Sequence, residues 1–151
     1  MRRKDREMDR EFALMVVDKC EYAVLSMVDV EGNPYCVPIS IVRKEENIYF
    51  HCAEDGKKIE AMQKYPNVCI ACVGDTCREK DKFTTKYESA IVCGTAEAVC
   101  SDKEKITALR LLCERHTPTN MENFDTAIAK SLDRTAVWKV SIQTITGKCK
   151  K

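Results

Sequence analysis

The chain has 151 residues, of which 44% are hydrophobic and 32% are charged. This excludes a disordered chain and predicts one soluble globular domain spanning residues 1–151. The 25 basic and 24 acidic residues leave a net charge of +1, which argues against a dedicated nucleic-acid or anionic-membrane binder, because such proteins gain affinity from accumulated positive charge. The apolar runs are much shorter than the roughly 20 residues that a membrane helix needs.

The N-terminal region predicts an amphipathic helix over residues 6–19. Met8, Phe12, Met15 and Val16 recur there at the spacing of one helical face. The apolar stretch within this helix is too short for the core of a signal peptide, and acidic residues flank it. We therefore expect a cytoplasmic protein.

The next segment predicts three antiparallel strands joined by short turns. The strands are expected at residues 22–28, 35–42 and 48–52, where β-branched and aromatic residues are concentrated. Turn-forming residues occupy positions 31–34 and 44–47 between them. Short connections of this kind are typical of an antiparallel meander.

The middle of the chain predicts a short helix at residues 57–64, a strand at 67–73, a polar loop at 75–86 and a long strand at 87–99. The loop is rich in charged residues and is expected to be solvated. Gly94 lies within the long strand and predicts a bulge or a tight bend there.

The C-terminal third predicts two helices and a last strand. Ser101 followed by Glu104 is typical of a capping box, which opens a helix that runs to about Arg115. A short helix follows at residues 124–132 and a strand at 135–145. Six strands with short turns indicate a mainly β (α+β) fold, in which the sheet forms a closed or nearly closed barrel that leaves few exposed edges.

The start of the helix at residues 57–64 predicts a phosphate-binding site. A helix N-terminus presents unpaired N–H groups and partial positive charge. Gly56 permits a sharp entry into the helix, and Lys57 and Lys58 add full charges. Two lysines in a first turn are unfavourable unless an anion compensates them. The alternative is a solvated basic turn.

Both histidines and the single tryptophan leave alternatives open. His51 ends a strand beside the predicted phosphate site, where it could bind a ligand, donate a proton or act as a nucleophile, or simply be satisfied at the strand end. His116 ends a helix and is expected to cap carbonyl groups there. Trp138 lies on the last strand, where it either packs in the core or stacks near a flat ligand or a partner subunit.

The ten cysteines are expected to be mostly reduced core thiols, because disulfides require an oxidising compartment. Cys69 and Cys72 have the spacing of a metal or redox pair, but alternation along a strand places their sulfurs on opposite faces. No metal site is expected. Cys52 is a weak candidate nucleophile, because the adjacent His51 points to the other side of the strand.

Several motifs, in their order and spacing, resemble the pyridoxamine 5'-phosphate oxidase-like flavoproteins. The resemblance covers about residues 8–148 and is nearest to the branch similar to 5-nitroimidazole-resistance (Nim-type) proteins. The matching segments are Leu25–Ser40, Ile48–Ala53, Gly56–Lys58, Tyr65–Ile70, Tyr87–Glu97 and Ile145–Lys148.

The resemblance implies a six-stranded antiparallel split β-barrel with short flanking helices. It implies a homodimer with FMN at the subunit interface and a small-molecule substrate. It places the FMN phosphate on Lys57 and Lys58, and it makes His51 the best catalytic candidate. The backbone of Val37, Pro38, Ile39 and Ser40 would lie along the isoalloxazine ring, and His51, Cys52 and Ala53 would line the ribityl and phosphate side.

This chain also departs from the oxidase pattern. The oxidase carries a phosphate-binding arginine on its second strand, where this chain has Val37, and the oxidase's C-terminal substrate-phosphate residues have no counterpart here. Three functions remain open. They are a flavin-dependent oxidoreductase that reduces a small oxidised molecule such as a nitroimidazole, a non-catalytic protein that binds flavin or another cofactor, and a ligand-free interaction module.

Overall fold

The computed structural model describes residues 2–151, and one antiparallel sheet of eight strands dominates it. The fold also contains four α-helices. The strands are β1 (Glu7–Met8), β2 (Ala23–Val28), β3 (Pro34–Ile39), β4 (Val42–Lys44), β5 (Asn47–Cys52), β6 (Asn67–Glu79), β7 (Thr84–Ala98) and β8 (Ala136–Lys150). The helices are α1 (Arg10–Lys19), α2 (Lys57–Lys64), α3 (Asp102–His116) and α4 (Phe124–Ser131).

The strand order brings the two edges of the sheet together. Strands pair in the order β3-β2-β6-β7-β8-β5-β4, and β1 adds to β8. The edge strands β3 and β4 are consecutive in the chain, and only Ser40 and Ile41 join them. So short a connection spans little more than 10 Å, and the sheet must curl until its edges nearly meet. We call this junction the seam. The α+β split-barrel-like fold expected from the sequence is confirmed.

The sheet has two more strands than the six expected. The first is β1, in the segment that was expected to begin the N-terminal helix; that helix begins instead at Arg10, after Asp9, whose carboxylate accepts from the Phe12 amide at 2.8 Å. The second is β4, which is separate because the predicted strand at residues 35–42 is interrupted at the seam. Both differences concern short edge segments, where local sequence patterns are weakest.

The loop expected at residues 75–86 is instead the end of a β-hairpin. Paired residues continue from Thr76 opposite Tyr87 to Glu79 opposite Thr84. Most side chains on this arm are exposed, so neither face needs apolar residues. The alternation that reveals a half-buried strand is therefore missing from the sequence.

The bulge predicted at Gly94 is confirmed. The register between β7 and β8 shifts between Cys93 and Gly94. A Cβ atom at Gly94 would lie 2.2 Å from the carbonyl oxygen of Ser141, closer than any normal contact. The glycine therefore allows the two backbones to approach at the bend.

The remaining helices begin and end close to the expected positions. α2 spans the predicted residues 57–64, and α3 begins after Ser101, whose hydroxyl accepts from the Glu104 amide at 3.5 Å.

Across residues 2–151, we find no helix with both the length and the apolar character needed to cross a membrane.

Two apolar clusters lie on opposite sides of β5. The main core fills the curled sheet and includes Ile48 and Phe50 of β5. A second cluster lies under α3 and α4 and includes Tyr49, Leu112 and Phe124. Since successive strand side chains alternate, the middle of β5, Ile48–Phe50, is buried on both faces. The last two residues of the strand, the exposed His51 and the half-buried Cys52, point to opposite sides of the sheet.

Candidate functional site

The seam and the end of β5 open into a cavity beneath α3 and α4. Val42 pairs with Tyr49, and continuing this antiparallel register places Ser40 opposite His51. Both residues line a cavity of about 430 Å³. Its other walls come from the second half of α3, from residues 117–123, from α4 and from Thr135. The structure thus brings two of the predicted site residues, Ser40 and His51, into one space.

His51 points into this cavity and not into the barrel core. It shares its face of β5 with Tyr49 of the second cluster, whereas Cys52 packs against the main core. Although part of the His51 side chain is exposed, its partial burial in the cavity lowers its pKa below the usual 6.5, and the charge of Lys58 lowers it further, as does His116 whenever that second imidazole is protonated. Its imidazole is therefore neutral at pH 7, where it accepts protons and hydrogen bonds.

His116 lines the same cavity from the end of α3. Its Nε2 lies 2.9 Å from the carbonyl oxygen of Ile41, which is in the seam. The expectation that His116 caps its own helix is therefore wrong. The last turn of α3 is closed instead by Thr117, whose amide and hydroxyl both donate to the Cys113 carbonyl.

The N-terminus of α2 retains the features expected of an anion site. Gly56 has a φ of +115°, and no side chain caps the helix there. Lys58 lies close enough to His51 and Cys52 to lower the pKa of both groups, although burial dominates and leaves the pKa of Cys52 raised. Within residues 2–151, Lys58 forms no ion pair. Its Nζ lies 5.7 Å from the centre of the Phe50 ring.

Lys57 is held differently, by a buried carboxylate. Its Nζ lies 3.0 Å from Asp29, which is only 2% exposed. Asp29 also accepts from the amides of Glu31 and Asn33 in the β2–β3 turn, at 3.0 and 2.8 Å. The Asn33 amide and then Lys57 hold the pKa of Asp29 below its ordinary value. Asp29 thus supplies part of the negative charge that two first-turn lysines require.

The other predicted cofactor residues lie along the seam and beside it. Val37 and Ile39 face inward on β3, Pro38 and Ser40 are exposed, and Ala53 is exposed after β5. Their contact with a cofactor stays a prediction. Trp138 is 5% exposed and belongs to the main core, which favours ordinary packing over stacking on a ligand.

All ten cysteines are free thiols, but only Cys20 and Cys72 are buried. Cys69 and Cys72 lie on opposite faces of β6, as the strand alternation predicts. Cys20 and Cys72 interact, and this contact, together with the nearby Arg115 guanidinium, lowers the pKa of the Cys20 thiol to about 7. This pair packs in the main core.

Sequence patterns missed two parts of the site. Asp29 is distant in sequence from Lys57, and its sequence context is that of an ordinary turn residue. In the sequence, the apolar cavity residues Leu109, Phe124 and Ile128 have the spacing of core positions in amphipathic helices. The one available signal was the pair of histidines: the chain has only two, and both reach the same cavity.

The titration of His51 tests this electrostatic arrangement. We expect a pKa below 6.5 in the native protein and a higher value in Lys58→Ala, because that substitution removes a positive charge that disfavours the imidazolium. Since the pKa is lowered in the folded state, acidification through 6.5 should also reduce stability. An NMR titration of the imidazole protons measures the pKa, and His51→Gln assigns the signal.

Lys57→Ala is the matched control for this titration, because its ammonium is paired with Asp29 and should leave the pKa of His51 unchanged. A native pKa of 6.5 or more, or equal shifts in the two lysine variants, would contradict the assigned geometry.

Comparison with known proteins identifies the family of this chain. A family model described as pyridoxamine 5'-phosphate oxidase matches residues 9–149. A provisionally assigned 5-nitroimidazole antibiotic resistance protein from Bacteroides thetaiotaomicron is 27% identical with a TM-score of 0.80, and the match covers 95% of this chain and 86% of that one. A search of curated proteins gave no match.

Two more distant structures share the fold. The flavocytochrome Anf3 from Azotobacter vinelandii is 22% identical with a TM-score of 0.80, over 95% of this chain and 68% of its own. An FAD-binding protein from Mesorhizobium loti is 17% identical with a TM-score of 0.71, over 97% and 98%. The resemblance noted in the sequence is confirmed, and this chain belongs to the pyridoxamine 5'-phosphate oxidase family.

Proposed function

We propose that the protein binds FMN at the seam and passes electrons from the reduced flavin to a small oxidised substrate, with a nitroimidazole as one candidate. The observation that carries this proposal is the convergence of three features. The N-terminus of α2, which no side chain caps, lies near the seam together with the neutral His51 and with Lys58, which forms no ion pair within residues 2–151. A flavin mononucleotide needs an anion site for its phosphate and a flat wall for its ring. The N-terminus of α2 would bind the phosphate, and β3 would face the ring.

The phosphate end fits the residues present. Within residues 2–151, the backbone amides of Lys57 and Lys58 have no acceptor, whereas those of Ile59 and Glu60 donate to the Gly56 carbonyl. Two N–H groups can therefore donate to a phosphate, and the Lys58 side chain adds a charge at the same place. Val37 stands where the oxidase has an arginine, so the positive charge for the phosphate would come from α2 alone. The ring would lie along Val37–Ser40, and the ribityl chain along His51–Ala53.

The relatives support a flavin and a reductive role. One similar structure is a provisionally assigned 5-nitroimidazole resistance protein, and the two more distant ones are a flavocytochrome and an FAD-binding protein. FMN is proposed over FAD because a single phosphate suffices for the one anion site at α2.

Each residue then has a defined task. Lys58 and the α2 amides bind and orient the phosphate, and Asp29 holds Lys57 against the β2–β3 turn. When bound, the flavin supplies the hydride or electron transfer. A neutral ring nitrogen of His51 accepts a hydrogen bond or a proton in the adjoining cavity. The helices α3 and α4 form most of the wall of this cavity.

A homodimer is supported by an uncharged face of the sheet. The outward residues of β3, β2, β6 and β7 run in register from Cys36 through Ser26 and Cys69 to Cys93. In a chain that is 32% charged, such a face is typical of an interface core. Its exposed apolar members include Val28, Val73 and Ile91, and β3 joins this face to the seam.

Lysine substitutions test the phosphate site. We expect Lys58→Ala to weaken FMN binding by about 1.5–3 kcal/mol, since a charge-assisted hydrogen bond is lost. Lys57→Ala should weaken it less, because its ammonium is shared with Asp29. Fluorescence quenching of FMN titrated with protein measures the affinity. Lys80→Ala, on the exposed β6–β7 arm, should change nothing, and equal affinity in all three variants would remove the assignment.

Flavin turnover separates an enzyme from a non-catalytic flavin carrier. The native protein, reduced under anaerobic conditions, should be reoxidised by a nitroimidazole, and His51→Ala should slow this step more than it reduces flavin retention. Stopped-flow absorbance in the flavin bands measures both. If no donor reduces the bound flavin, or no nitro compound reoxidises it, the carrier is favoured. If His51→Ala retains less flavin but each bound flavin is reoxidised at the native rate, His51 is a flavin-binding residue only.

A charge on the uncharged sheet face tests the dimer. Ile91→Lys should convert the protein to a monomer and reduce its FMN content, because an ammonium would be buried without a partner. Thr85→Lys, on the exposed arm, is the matched control. Sedimentation equilibrium gives the mass. A native monomer at micromolar concentration would contradict the proposal.

A further inference from the structure

The cavity beneath α3 and α4 has an unusual lining. None of the residues around its 430 Å³ is Lys, Arg, Asp or Glu, although 32% of the chain is charged. Leu109, Leu112, Phe124 and Ile128 form apolar walls. Moving an ionised group into such a space is costly unless a partner charge is present. The volume lies within the range of small-molecule sites.

The polar groups in the cavity include two imidazoles with defined roles. His51 favours its neutral form. His116 lies 2.9 Å from the Ile41 carbonyl through Nε2. A carbonyl oxygen can only accept, so this nitrogen carries the hydrogen. In neutral His116, Nδ1 therefore retains a lone pair and can only accept a hydrogen bond.

We propose that this cavity is a binding chamber for an uncharged, ring-sized molecule that carries a hydrogen-bond donor, and that His116 positions it by accepting that hydrogen bond. Its role as the substrate chamber rests on the proposed function, because His51 connects it to the flavin site. A phosphorylated substrate, such as pyridoxamine phosphate, would find no cationic partner among the lining residues.

Two probes of the same shape test the charge selection. 4-Nitrobenzamide is uncharged and carries N–H donors, whereas 4-nitrobenzoate is an anion at neutral pH. Calorimetric titration of the protein saturated with FMN should show that the amide binds at least about tenfold more tightly, given the cost of burying an ion. Equal affinities would overturn the proposal.

A blocking variant locates the binding. Ala127 lines the cavity from the exposed side of α4, so Ala127→Trp should fill the space without disturbing the core. We expect the amide to bind at least about tenfold more weakly, as the apolar contacts are lost. Ala129→Trp, exposed on the same helix and absent from the cavity lining, is the matched control. Unchanged binding in Ala127→Trp would show that the amide binds elsewhere.

A ratio of affinities tests His116 as a positioning residue. The native protein should prefer 4-nitrobenzamide over its N,N-dimethyl derivative, which has no N–H donor. His116→Leu should lose this preference, and His116→Gln, whose amide provides both a donor and an acceptor, should restore part of it. A merely structural role would lower both affinities together and leave the ratio unchanged, which would contradict the assignment.

Failure of the chamber and failure of the flavin proposal give different results. If FMN does not bind but the amide still binds and Ala127→Trp abolishes that binding, the chamber stands and the flavin proposal fails. If FMN binds and displaces the amide competitively, the cavity belongs to the flavin ring and the chamber is overturned. Unchanged amide affinity at saturating FMN supports two separate sites.

Discussion

The two-residue connection at the seam is the constraint on which the site depends. Ser40 and Ile41 join the two edge strands of the sheet, so the sheet must curl and its edges must stay close together. Because β4 pairs with β5, the same connection brings Ser40 beside His51. The Ile41 carbonyl then accepts from His116, which fixes the end of α3 over the gap. One short connection thus determines the barrel, the cavity and the position of both histidines.

Burial of β5 on both faces gives this arrangement its chemistry. Ile48 and Phe50 face the barrel core, and Cys52 packs against it, while Tyr49 faces α3 and α4. His51 lies on the same face of β5 as Tyr49, so its imidazole enters the cavity, where partial desolvation lowers its pKa. Cys52 lies on the same face as Ile48 and Phe50, and its burial raises the pKa of its thiol. Alternation alone therefore separates a group that can exchange protons with a ligand from one that stays protonated in the core.

Sequence patterns predicted the parts that depend on local chemistry. Gly56 and the apolar spacing after it located α2, Gly94 located the bulge, and His51 followed from its place at a strand end. Features that depend on distant contacts or on solvation were missed. The β6–β7 arm has no buried face to create an apolar alternation, and the cavity walls on α3 and α4 look like any helix core. The family could be identified from ordered motifs, yet the cavity's lack of charge emerged only when the helices were placed against the sheet.

The lysine pair at α2 shows how one local pattern divides into two roles. Both residues stand in a first turn, where the helix dipole opposes positive charge. The Asp29 carboxylate relieves this repulsion for Lys57. Two backbone amides of the β2–β3 turn donate hydrogen bonds to the carboxylate and keep it ionised. No carboxylate within residues 2–151 does the same for Lys58, which also lowers the pKa of His51. The remaining repulsion around Lys58 can be relieved by a bound anion. Such an anion would offset the effect of Lys58 on His51, so occupation of the phosphate site would make the imidazole easier to protonate. If the proposed phosphate site is correct, cofactor binding and proton uptake by His51 would be coupled through the Lys58 ammonium group.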